Sequence, residues 1–186
     1  MDLHALPPGL PVPRDDGRAA DLAGRALPSL SLFATSGVEV DLAALGPGRT
    51  VIYVYPLTGR PGDELPDGWD AVPGARGCTP EACDFRDHHA DLLRAGASRV
   101  LGLSCQTTDY QRELVDRLHL PYPLLADPDL VCVRQLGLPT LEAAGRQYYA
   151  RLTMVASGGT VEHVFYPVFP PDIHAREVVA WLRQAP

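Results

Sequence analysis

The sequence predicts an α/β fold: a mixed central sheet flanked by helices, with a β-hairpin added at its N-terminal end. Three observations predict it. TVIYVYP (50–56) is an apolar, β-branched and aromatic run without polar alternation, the pattern of a strand buried on both faces. Strand-like and helix-like segments then alternate along the chain, which builds a layered α/β sheet. Late in the sequence two strand-like runs flank Ser157-Gly158-Gly159, a hairpin signal that adds antiparallel strands.

Each element has its own warrant. Residues 1–26 are rich in Pro and charge and are expected to form an extended arm, with a short helix over 15–23. The domain proper is expected over 27–186. LSLFATSGVEVDL (30–42) is expected to fold as a hairpin around Ser36-Gly37. The 57–76 stretch holds Gly59, Gly62, Gly68 and Gly74 with Pro61, Pro66 and Pro73, so it is a long loop. Loops of this length in compact domains are uncommon and often functional; a tolerated surface insertion is the other reading. A helix is expected from Cys78 to about Arg94, with Thr79 as a candidate cap, Pro80 in the first turn and Glu81 at the positive end. RVLGLS (99–104) is a strand, 108–119 an amphipathic helix, 122–127 a strand and 129–137 a short helix. Strands over 149–156 and 160–166 precede a closing helix over 174–184. This order fits a thioredoxin-like sheet with a longer N-terminus.

Composition narrows the function. The 186 residues carry a net charge of −7, so nothing attracts the chain generally to nucleic acid or anionic membrane. All 16 basic residues are Arg, which excludes lysine Schiff-base chemistry and a P-loop lysine. No apolar run approaches the roughly 20 residues of a membrane span. The first residues lack the form of a secretory signal, so a reducing, cytoplasmic setting is expected and structural disulfides are not.

Among Cys78, Cys83, Cys105 and Cys132, the first two stand out. Cys78 sits where a Gly-rich loop meets a helix start. Unpaired backbone N–H groups there favour an anion and lower a thiol's pKa. Cys83 lies five residues on. In an intact helix the two Cα atoms would be about 8.6 Å apart, against the roughly 4.4–6.8 Å a disulfide needs. Bonding would therefore require local unwinding. Cys83 also fits a simpler role as a small buried residue. Zinc is not expected: C-x4-C-x4-HH with His88 and His89 matches no common finger, and adjacent His residues diverge on a helix. Cys105 and Cys132 are read as structural thiols, and the histidines as surface or capping groups.

GCTPEACDFRD (77–87) following YVYP (53–56) resembles the peroxiredoxins, specifically the bacterioferritin comigratory protein or peroxiredoxin Q group. The likeness continues through VLGLS (100–104), PYPLLADPDLVCVRQLG (121–137) and RLTMVASGGTVEHVF (151–165). It implies a thiol-dependent peroxidase with no cofactor. Cys78 matches the peroxidatic cysteine, which attacks the peroxide as a thiolate and becomes a sulfenic acid. Cys83 matches the resolving cysteine, giving an intramolecular disulfide that a thioredoxin-like reductant restores. Arg151 matches the arginine facing the thiolate; without the resemblance it reads as a surface residue of an edge strand. An intramolecular pair requires no dimer, so a monomer is expected. One departure stands out. The family motif places a Thr three residues before the peroxidatic Cys, and here that residue is Ala75, with about 15 extra residues between Pro56 and Cys78. Either Thr58, just before the insertion, takes that role, or a backbone or water contact replaces it. The insertion is expected to form a lid or shape substrate access.

Overall fold

The computed structural model describes residues 5–185; residues 1–4 of the expected arm and Pro186 lie outside them. The strands are β1 (Ser31–Ala34), β2 (Glu39–Asp41), β3 (Arg49–Val54), β4 (Ala97–Ser104), β5 (Leu124–Ala126), β6 (Thr140–Ala143), β7 (Arg146–Tyr149), β8 (Leu152–Ser157) and β9 (Thr160–Phe165). The helices are α1 (Cys78–Asp87), α2 (His89–Arg94), α3 (Thr108–Leu118), α4 (Val131–Leu136) and α5 (His174–Gln184). Seven strands make one sheet in the order β2-β1-β5-β4-β3-β8-β9. The central β3, β4 and β5 run parallel, while β8, β9, β1 and β2 add antiparallel edges. The mixed α/β sheet flanked by helices is therefore as the sequence predicts.

The period-2 alternation of β3 explains both layers. Val51 and Tyr53, with Tyr55 beyond the strand end, pack with Cys78, Phe85, Leu92, Leu114 and Val178 on the face covered by α1, α2, α3 and α5. Ile52 and Val54 face the opposite layer, with Leu22, Leu27, Leu136 and Tyr149. An unbroken apolar strand is what two covered faces demand.

Four expectations need correction. No helix forms over 15–23. Asp15 and Asp16 accept from the backbone N–H groups of Gly17 and Arg18, and such local side-chain bonds compete with helix. A run of turns results, in which Leu22 is buried in the core. The single helix from Cys78 to Arg94 is broken at His88, whose backbone leaves helical geometry and whose Nδ1 bonds the Asp84 carbonyl at 2.9 Å. The strand expected from Tyr149 starts at Leu152, because Tyr149 belongs to an unexpected hairpin. That hairpin, β6–β7, turns through Ala144 (φ 48°) and Gly145 (φ 70°). Two consecutive positive φ values mark a tight hairpin turn, and Ala-Gly advertises it less than Asn-Gly. Finally, His174 is fully buried rather than a surface group; its ring bonds Thr153 Oγ1 at 2.9 Å and Glu177 at 3.1 Å.

Candidate active site

Cys78 opens α1, directly after Gly77. The expected Thr79 cap does not form: the N-cap is Gly77, without a side-chain bond. Gly77 is required twice over. Its φ of 105° disfavours an L side chain, and a Cβ there would stand 2.5 Å from Pro171 and 2.7 Å from Leu6. The helix start is thereby pressed between the N-terminal arm and the segment before α5.

Arg151 lies just before β8, only 3% exposed. Its Nη2 donates to Cys78 Sγ at 3.1 Å and also meets the carbonyls of Arg76 (3.2 Å), Ala75 (3.3 Å) and Gly74 (3.4 Å). Its Nη1 pairs with the buried carboxylate of Glu81. One guanidinium thus anchors the end of the insertion, the thiol and the helix. Glu81 is the residue that sequence reasoning missed here. From sequence it reads as a helix-end charge; the signal for more is a carboxylate three residues after the motif Cys, on the Cys78 side of the helix.

Electrostatics in the site oppose one another. Burial, the largest influence, pushes the Cys78 thiol up. Arg151 pulls it down, Glu81 pushes it up, and the Leu57 backbone N–H bonded to the thiol pulls it down. The net direction is upward. The lowered thiol expected from the helix start and arginine is therefore corrected: the anion-favouring groups are present, but desolvation in the closed site outweighs them. Burial likewise raises Glu81, against the pull of Arg151 and His174.

Thr58 is buried, but its hydroxyl and backbone N–H both donate to Gln106 Oε1 at 2.9 Å. Gln106 Nε2 and the Tyr110 hydroxyl in turn donate to the Thr58 carbonyl, each at 3.0 Å. The backbone donor beside the thiol is that of the neighbouring Leu57.

Cys83 is half-buried, and none of the four cysteines is disulfide-bonded. Burial raises the Cys83 thiol, with Arg86 opposing. The helix is continuous between Cys78 and Cys83 and is held by other elements. Tyr122 donates to the Ala82 carbonyl at 2.8 Å, and Ala175 N–H to Asp84 at 2.7 Å. Cys132 is core, and Cys105 lies at the end of β4 against the Pro56 carbonyl.

The insertion has a small core of its own. Trp69 packs edge-on to Tyr148 of β7 at 5.1 Å, and Leu57, Leu65, Val72 and Ala75 join them. The missed hairpin is thus the platform for the loop. Leu57, Leu65, Trp69 and Arg76 surround the mouth above Cys78, which encloses only about 10 Å³.

A Redoxin family model matches residues 22–181, and the chain is 30% identical over 167 residues to the chloroplastic peroxiredoxin Q of Gentiana triflora, covering 87% of this chain and 67% of that one. The chain belongs to the Redoxin family, in its peroxiredoxin Q group. This peroxiredoxin is also similar in structure to peroxidoxin BcpB of Mycobacterium tuberculosis, with a TM-score of 0.69 and 26% identity over 88% of this chain and 97% of that one. Peroxiredoxin Q of Xanthomonas campestris matches with a TM-score of 0.67 and 25% identity, over 95% of this chain and 97% of that one. The thioredoxin-like peroxiredoxin fold expected from the motif is thereby established.

Proposed function

We propose that this peroxiredoxin is a two-cysteine thiol peroxidase. The observation that carries the reading is the 3.1 Å contact between Arg151 Nη2 and the sulfur of Cys78 at the first residue of α1. Hydrogen peroxide and organic hydroperoxides are the substrates. The Cys78 thiolate attacks one peroxide oxygen, the O–O bond breaks, and water or an alcohol leaves after taking a proton. Arg151 holds the attacked oxygen and the thiolate with fixed charge. Leu57 N–H acts as the neutral donor in place of the motif threonine, and Thr58 serves indirectly, its bonds to Gln106 holding the adjoining peptides. The Cys83 thiol then condenses with the Cys78 sulfenic acid, forming S–S and releasing water. A thioredoxin-like reductant returns both thiols. The chain works as a cytoplasmic monomer.

The test is one equivalent of hydrogen peroxide on reduced protein, read by intact mass and a non-reducing peptide map beside Cys78→Ser and Cys83→Ser. The expected result is a Cys78–Cys83 disulfide, absent in both variants and reversed by thioredoxin. Cys83→Ser should trap oxidised Cys78. A Cys78 that stays reduced would refute the activity. The closed mouth and upward-shifted thiol favour one second reading, a redox sensor without efficient turnover. Slow oxidation with no recycling by thioredoxin would select it.

A further inference from the structure

The mouth above Cys78 encloses about 10 Å³, the least space that takes one water-sized group. A peroxide can place its reacting end there, but the organic group of a hydroperoxide cannot follow. The chemistry does not ask it to. Sulfur takes the terminal oxygen, the O–O bond breaks, and the other oxygen leaves with its organic group as an alcohol after gaining a proton. That group therefore lies outside the mouth, against the surface that adjoins it.

The adjoining surface is a groove of about 380 Å³, within the roughly 300–1,000 Å³ of small-molecule sites. Leu57, Gly59 and Leu65 line both mouth and groove, so the two are continuous. Pro66, Tyr110 and Tyr148 extend the apolar wall. The insertion, α3 and β7 supply these walls, and each is fixed. The Tyr110 hydroxyl donates to the Thr58 carbonyl at 3.0 Å, and its ring lies beneath the Arg60 guanidinium at 3.9 Å. Tyr148 is held edge-on to Trp69. Leu65 and Pro66 belong to the extra residues between Pro56 and Cys78, so their wall is an addition to the shared motif.

We infer, on the reading of Cys78 as the peroxidatic thiol, that this groove holds the organic group of an aryl or alkyl hydroperoxide while its peroxide end reaches Cys78. The insertion is then a specificity determinant. Hydrogen peroxide uses the mouth alone, so groove and mouth can be tested apart.

The test is single-turnover oxidation of Cys78 in the reduced full-length chain, quenched and read by peptide mass, with hydrogen peroxide and with cumene hydroperoxide. Ala144 and Pro66 line the groove but not the mouth, and asparagine tolerates the positive φ of Ala144. Ala144→Asn and Pro66→Asp place polar groups in the groove. Each should slow cumene hydroperoxide by about fourfold or more, the worth of one buried CH₂, and leave hydrogen peroxide unchanged. Equal slowing of the two peroxides, or slowing of neither, would overturn the groove. The product alcohol, 2-phenyl-2-propanol, is the second probe. It should protect Cys78 of the native chain from iodoacetamide, and both variants should weaken that protection; methanol should give none. No protection, or protection undiminished in the variants, would also overturn the groove. Protection needs no peroxide, so a chain that the alcohol protects but no peroxide oxidises would refute the proposed function and leave the groove standing.

Discussion

Arg151 and Glu81 act on Cys78 with opposite signs, and each can be removed. Arg151→Gln deletes the cation 3.1 Å from the sulfur, so the thiol should rise further and alkylate more slowly at a given pH. It also leaves Glu81 buried without its ion partner, a loss of about 3–5 kcal/mol for a broken buried pair. Denaturant unfolding and the pH profile of alkylation read the two effects separately. Glu81→Gln removes a negative charge that pushes the thiol up. Its alkylation profile should therefore move to lower pH, the reverse of Arg151→Gln. A shift in the same direction for both variants would contradict the charge assignment. At this scale the motif made Cys78 and Arg151 legible from sequence. Desolvation was not legible, because burial of Cys78 depends on the insertion, the arm and α5 meeting over it.

At the scale of elements, α1 must open for the proposed disulfide, since five helical residues hold the two Cα atoms about 8.6 Å apart. Oxidation should raise amide hydrogen exchange over 79–86 and leave β3 and β4 protected; the Cys83→Ser variant should show no such change. The insertion offers a second case. Trp69→Ala removes the aromatic contact with Tyr148 and should cost about 3–5 kcal/mol if the loop's core is part of the cooperative fold. It should also speed Cys78 alkylation by loosening the mouth. A slower thiol in that variant would count against a lid. The loop was visible in the sequence by its Gly and Pro residues, but its platform was not. The β6–β7 hairpin turns on Ala144-Gly145, and an alanine at positive φ carries no composition signal. It is held there by the pairing of its strands.

For the whole molecule, the arm is the part whose attachment responds to pH. Asp16 is held at about 2, chiefly by its bond to Arg18, against an ordinary value of 3.8. A carboxyl lowered in the folded state contributes stability above its unfolded value and loses it as pH falls through its folded value. The tie should therefore weaken between about pH 4 and pH 2, seen as faster exchange of residues 14–18. Asp16→Asn should show the loosened arm already at neutral pH. The proposed monomer is checked by sedimentation, where both redox states should give the 20.1 kDa mass; a dimer in either state would contradict it.

By itself the sequence determined the layered α/β order and the family, and it singled out Cys78 and Arg151, which the fold brings within 3.1 Å. Those are properties of local pattern: period, turn chemistry and a contiguous motif survive in one dimension. The tertiary structure alone decided that Glu81 shares Arg151 with Cys78, that the Thr58 hydroxyl turns to Gln106, and that His174 is buried against β8. Each of these joins groups distant in sequence, or depends on which side of one peptide faces inward. Such relations are set by packing and by the exclusion of water, which no local pattern records.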